Sequence, residues 1–185
     1  MAEPSYFICY SRRDAEDIAL TLADQLIAGP PSIPVWIDRR NLQASIDWDE
    51  QIVAALRSGA GILYVMTPDS VSPNSECKRE WTRALKYSKP IIPLLFHKKA
   101  ELPFRLEPRQ FIDFTRSFEA GLARLREHVR WRATSAGILH TLRERLEDAH
   151  RELARGDEAE KPQIEDEIAE LEKKVDEQQH RVNEP

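Results

Sequence analysis

The chain has 185 residues, 41% hydrophobic and 32% charged, which is enough apolar material for one domain with a buried core and something beyond it. A net charge of −5 and only two cysteines argue against a globally basic surface for nucleic acid or anionic lipid, a disulfide framework and a cysteine-rich metal site. No apolar run approaches the roughly 18 residues that span a bilayer, and the first five residues do not read as a signal peptide. A cytoplasmic chain with free thiols and no membrane contact is expected.

Short apolar runs alternate with amphipathic stretches. Tyr6–Tyr10 is a continuous β-prone run, as expected of a strand covered on both faces. A helix follows over 14–28, stopped by Gly29-Pro30-Pro31. Val35-Trp36-Ile37 predicts a second strand, 48–56 a second helix and 61–66 a third strand. The stretch 75–87 predicts a third helix capped by Ser75. The fourth strand is 91–96, where Pro93 suggests a sheet edge or a strand end. A fifth strand at 111–114 and a closing helix over 118–131 complete the pattern. Strands alternating with crossover helices imply a five-stranded parallel sheet in a three-layer, flavodoxin-like α/β fold. Ligands of such folds bind beyond the carboxyl ends of the strands, which directs attention to 10–14, 38–48 and 67–80.

The remainder differs in kind. All fourteen Phe, Tyr and Trp residues lie at or before Trp131, and the stretch 132–185 holds 9 Lys/Arg against 15 Asp/Glu. Leu139, Leu142, Leu146, Ala149 and Leu153 recur at heptad spacing, as do Ile164, Ile168, Leu171, Val175 and Val182. Gly156 and Pro162 separate the two stripes. The expected organisation is a domain over 1–132 followed by an all-α, coiled-coil-like extension over 133–185. That extension forms a hairpin or part of a longer bundle, and the chain reads as the N-terminal part of a longer protein.

The five histidines form no i, i+4 pair and are read as solvated surface, and no glycine-rich phosphate loop or nucleophile elbow occurs. No metal site and no separate cofactor are expected. What remains is a set of carboxylates near the inferred switch point: Asp14, Asp38, Asp47, Asp49, Glu76 and Glu80. Glu80 shares a helix face with Cys77 at i, i+3 and is followed by Trp81. A carboxylate at the edge of an apolar pocket stabilises positive charge developing on a sugar carbon, which cleavage of an N-glycosidic bond requires. A merely solvated helical glutamate is the competing reading.

Four boxes in order carry a resemblance. Phe7–Asp14, Val35–Leu42, the S-x-x-C-x-x-E pattern of Ser72–Trp81, and Ile91–Leu94 resemble the first strand, second strand and loop, glutamate helix and fourth strand of Toll/interleukin-1 receptor (TIR) domains. The resemblance covers roughly 4–131. It implies either an enzyme that hydrolyses NAD+, as in the bacterial defence branch, or an adaptor that signals by self-association. In the first case NAD+ is the substrate, released as nicotinamide and either ADP-ribose or a cyclic isomer, and Glu80 is the catalytic residue. Substrate contacts then fall by position on Tyr10, Ser11, Arg12, Asp38, Leu42, Gln43, Trp48 and Cys77. The residue-level alternatives are core packing for Tyr10 and Trp48, loop bracing for Asp14 and Asp38, and core filling for Cys77. Glu76 stands where many active members carry Trp, and Ser11 where a basic residue is found, a charge that Arg12 or Arg13 can supply. The resemblance also implies antiphage-type signalling activated by homo-oligomerisation, with a sensor or NTPase module beyond residue 185. A non-catalytic TIR–TIR interaction module and a nucleoside-type glycosyl transferase are the alternative functions.

Overall fold

The computed structural model describes residues 4–42, 47–155 and 159–183. Five strands form one parallel sheet in the order β2-β1-β3-β4-β5: β1 is Tyr6–Cys9, β2 Val35–Trp36, β3 Gly61–Met66, β4 Ile91–Leu95 and β5 Ile112–Asp113. The helices of this part are α1 (Glu16–Ala28), the short α2 (Asp38–Asn41), α3 (Trp48–Ser58), α4 (Glu76–Lys86) and α5 (Phe118–Arg132). This is the flavodoxin-like α/β architecture expected from the alternation of apolar runs and amphipathic stretches.

The central strand explains the apolar runs. All six residues of β3 are buried, because β1 and β4 flank it and helices cover both faces. On one face Phe7, Cys9, Ile62, Tyr64 and Met66 join Ile52, Leu56, Cys77, Trp81 and Ala84 in a single core. The helical members of that set fall at helical spacing: Ile52 and Leu56 on α3, and Cys77, Trp81 and Ala84 on α4. Ser75 caps α4 by accepting from the Cys77 amide at 3.3 Å, and Asp47 caps α3 by accepting from the Glu50 amide at 3.0 Å. Helix α1 ends at Gly29, whose φ of 68° suits glycine alone without strain.

Pro93 departs from the expectation of an edge or a strand end. It sits in the middle of β4, opposite Tyr64, in a strand paired on both sides. Backbone alternation accounts for this. Ile62 donates to the Pro90 carbonyl and Phe114 to the Leu95 carbonyl, so Pro90, Ile92 and Leu94 face β3 while Pro93 and Leu95 face β5. Pairing with β5 begins only at Leu94, so the missing amide of Pro93 points to where no strand waits for it.

The chain divides into two compact units, Met1–Arg126 and Glu127–Pro185. The division falls inside α5, six residues before position 132, where the change in composition had placed the boundary. In the second unit α6 (Ser135–Leu153) and α7 (Lys161–Asn183) pack antiparallel. Gln178 donates to the Ser135 carbonyl at 3.0 Å, and Arg145 pairs with Glu167 at 3.9 Å. Leu139, Ala149 and Leu171 are buried in this unit, and within the chain the two helices form a hairpin. No described helix is long and apolar enough to cross a membrane.

Because β3 carries the core, Leu63→Ala is expected to destabilise the sheet unit by about 2–5 kcal/mol, as deletion of a fully buried leucine does. Tryptophan fluorescence during urea unfolding reads this directly. A loss below about 1 kcal/mol would contradict the burial of β3 on both faces.

Candidate active site

The sheet order places the switch point between β1 and β3, since the chain runs outward from β1 to β2 and then returns to β3. A cavity of about 440 Å³ opens there, lined by Tyr10–Arg13 after β1, Asp38 after β2, Asp69 and Ser72 after β3, and Asn74–Cys77 with Glu80 from the start of α4. Trp48, the first residue of α3, stands at its wall.

Two polar networks hold the rim. The first ties the loops after β1 and β3 together. Asp14 accepts from the Thr67 hydroxyl at 2.7 Å and from the Asp69 amide at 2.9 Å, while the Ser11 hydroxyl donates to Asp69 at 2.6 Å. The second centres on Asp38. Its carboxylate accepts from the Tyr10 hydroxyl at 2.7 Å, from Arg12 Nε at 2.9 Å and from its own neighbour, the Arg39 amide, at 2.7 Å. Arg12 closes a second, shorter contact to the same carboxylate and lies 4.6 Å over the Trp48 ring. Burial and the Asp38 carboxylate both push the Tyr10 hydroxyl pKa upward, so Tyr10 stays neutral at physiological pH.

Glu80 lies at the floor. The apolar face of α4 packs Cys77, Trp81 and Ala84 onto the sheet, and Glu80 sits beside that face, one turn from Cys77. The residue is half-buried overall, yet Oε2 is sealed from solvent and has no hydrogen-bond partner. Burial raises the Glu80 pKa to about 8. The carboxylates of Asp38 and Glu76 push it the same way, while the Cys9 thiol and the Arg12 guanidinium oppose them. Cys9 and Cys77, both fully buried, complete the surroundings. Their sulfur atoms and a Glu80 carboxyl oxygen all lie within 4.8 Å of one another. Burial and the neighbouring Cys77 thiol raise the Cys9 pKa well above its ordinary value.

The structure therefore gathers Tyr10, Ser11, Arg12, Asp38, Trp48, Cys77 and Glu80 around one cavity. Leu42 ends α2 half-buried and is not among the described residues lining it, and Gln43 lies outside the described residues. Trp48 does not pack α3 onto the sheet, one of the readings offered for it. It is 50% exposed, and its ring carries the Arg12 guanidinium instead of core contacts. Ser11 and Asp38 line the cavity with polar atoms already engaged in the rim networks. Glu76, in place of an aromatic, is exposed and paired with Arg79 at 3.1 Å. Sequence reasoning had reached Asp69 and Asn74 only as members of the stretch 67–80, and had not gathered Cys9 into the site. Cys9 reaches Glu80 only through the β1–β3 pairing and the packing of α4, which local spacing does not reveal.

The arrangement places a carboxyl that resists ionisation at the floor of a cleft, with a guanidinium held by Asp38 and an exposed aromatic ring nearby. The raised pKa has a consequence for stability. Folding favours the protonated form, so wild-type stability falls as pH rises from the ordinary carboxyl range near 4.5 to about 8, then levels off. Glu80→Gln removes this dependence, and its stability relative to wild type is expected to improve by on the order of 2–4 kcal/mol across that window. Thermal or urea unfolding at several pH values measures it. Parallel pH profiles for the two proteins would contradict the burial of this carboxyl.

A family model described as TIR domain matches residues 7–126, well over half of the chain. Among solved structures the chain is similar to the TIR domain of a Toll-related receptor from Hydra magnipapillata, with a TM-score of 0.59 and 24% identity over 69% of this chain and 99% of that one. It is also similar to a metazoan TIR-STING receptor from C. gigas, with a TM-score of 0.53 and 17% identity over 66% of this chain and 41% of that one. No curated protein matches the chain. At these identities the structural likeness speaks for the fold, and the family match runs from β1 into α5: the chain belongs to the TIR-domain family.

Proposed function

We propose that the sheet unit hydrolyses the bond between nicotinamide and ribose in NAD+. The observation that carries this reading is the Glu80 carboxyl on the floor of the switch-point cavity, desolvated and with Oε2 unpartnered. In the reaction the C1′–N bond breaks with its electron pair passing to the nicotinamide ring, which leaves neutral. Positive charge develops on the ribose, and the Glu80 carboxylate stabilises it in a site where water screens little. Water then attacks C1′ and releases a proton, giving ADP-ribose, or the adenine ring attacks to give a cyclic isomer. Arg12, held by Asp38 and Trp48, faces the phosphates, and the Trp48 ring offers a surface for a base.

The cavity volume lies near the lower end of the roughly 300–1,000 Å³ typical of small-molecule sites, enough for part of a dinucleotide. The remainder needs a second wall, so activity depends on self-association with a neighbouring copy. In this proposal the protein is a cytoplasmic defence-signalling enzyme, and the hairpin of α6 and α7 links it to a sensor or NTPase module beyond residue 185.

Purified protein, crowded to force clustering, is expected to release nicotinamide from NAD+. Glu80→Gln and Glu80→Ala should lower the rate by about 100-fold or more, the size expected for losing one preorganised charge. Equal turnover in wild type and both variants would remove Glu80 from the chemistry. No turnover under any clustering condition would favour a non-catalytic interaction module.

The ionised carboxylate is the working form, so kcat/KM is expected to rise with pH and level off above about 8, where free Glu80 is ionised. Initial rates at low substrate concentration across pH 5 to 9 (an assay range of roughly this span) check this. A profile that falls over that range would contradict the assignment.

A further inference from the structure

Two thiols and a carboxyl converge where only the carboxyl has so far been given a role. Cys9 and Cys77 are separated by 68 positions, yet the pairing of β1 with β3 and the packing of α4 bring their sulfur atoms and a Glu80 oxygen within 4.8 Å of one another. Neither cysteine forms a disulfide; the Cys9 thiol makes a long contact of 3.8 Å to the Cys77 carbonyl and also interacts with Glu80. Glu80 Oε2 is sealed and unpartnered beside them. Cys77 and Glu80 line the cavity, so an ion arriving from solvent meets these two donors first, with the buried Cys9 directly behind them.

We propose that Cys9, Cys77 and Glu80 form a zinc-binding site at the floor of the cleft. Two sulfurs and one carboxylate oxygen are a zinc donor set, and an open fourth position toward the cavity matches three-ligand sites that retain a water. Zinc–sulfur bonds of about 2.3 Å put tetrahedrally placed sulfurs about 3.8 Å apart. Closing the cluster therefore takes a contraction of at most about 1 Å between the sulfurs and about 1.3 Å between a sulfur and the carboxylate oxygen, within the reach of side-chain rotation. Hard ions such as magnesium are excluded by the thiolates. Binding replaces the two thiol protons, and the Glu80 proton where present, with one dication. Zinc seated there engages the carboxylate that the ribose needs, so it inhibits cleavage. This inhibitory consequence rests on the glycohydrolase reading; the binding itself does not.

Cobalt titration of the reduced full chain tests the site without any substrate. One equivalent is expected to produce thiolate-to-cobalt charge-transfer absorption that zinc abolishes by displacement and magnesium leaves intact. Cys9→Ala and Cys77→Ala should each abolish the band, and Glu80→Gln should weaken binding at least tenfold. Because both cysteines are core residues, cadmium NMR on the wild-type chain counts the sulfur ligands with no substitution at all. Absence of the band, a cadmium resonance without two sulfurs, or undiminished affinity in Glu80→Gln would overturn the site. In the nicotinamide assay, one equivalent of zinc should lower the rate at least tenfold, and a chelator should restore it. Metal binding to an active protein with no change in rate would overturn the inhibitory role. Metal binding to a chain that releases no nicotinamide with or without zinc would leave the site standing and remove the glycohydrolase reading alone.

Discussion

The desolvated carboxyl of Glu80 sets the terms for everything around it. Taking a carboxylate out of water without a partner costs several kcal/mol, and proteins ordinarily avoid this by exposure or by an adjacent cation. Here the avoidance is incomplete. Arg12 is close enough to pull the Glu80 pKa down but is committed to Asp38, and Cys9 offers only a thiol. The remaining conflict is settled by protonation, which raises the pKa to about 8. A group poised in this way ionises when a positive charge arrives beside it, and in the proposed reaction the nicotinamide end of NAD+ would bring one.

The rest of the sheet unit keeps that conflict from relaxing. Glu80 cannot swing fully into water while Cys77, Trp81 and Ala84 hold α4 against the sheet, and α4 cannot shift while the core around Tyr64 and Met66 is closely packed. At the rim, Asp14 and Asp69 tie the loops after β1 and β3 to each other, so the mouth of the cavity is shaped by side-chain hydrogen bonds as well as backbone pairing. The charges that face solvent are largely spoken for. Arg12 has Asp38, Arg39 has Glu16 and Arg40 has Asp24. These exposed pairs add little stability, but they hold the guanidinium groups in place before a ligand arrives.

Much of this was legible from the chain alone, for identifiable reasons. The run Tyr6–Tyr10 and the six apolar residues of β3 announce buried parallel strands because both of their faces must be covered. Ser75 and Glu80 were readable because a cap and the helical period fix which residues share a face. The carboxyl ends of the strands pointed to the cavity through topology. Pro93 misled because its cost depends on which neighbour its amide would face, a property of sheet order and not of the strand itself. Trp48 misled for a similar reason: apolar bulk predicts burial, but this ring stands at the start of α3, where a guanidinium covers it. The convergence of Cys9 with Cys77 and Glu80 was invisible locally, since it arises from long-range pairing and packing across the fold.

The titration of Glu80 itself decides the central claim. Carbon NMR on protein labelled at the glutamate δ-carboxyls, with Glu80→Gln used to assign the resonance, follows that one group as pH rises. A midpoint near 8 is the expected result. A midpoint near the ordinary value of 4.5 would mean that water reaches the carboxyl freely, and the account built on its burial would fail.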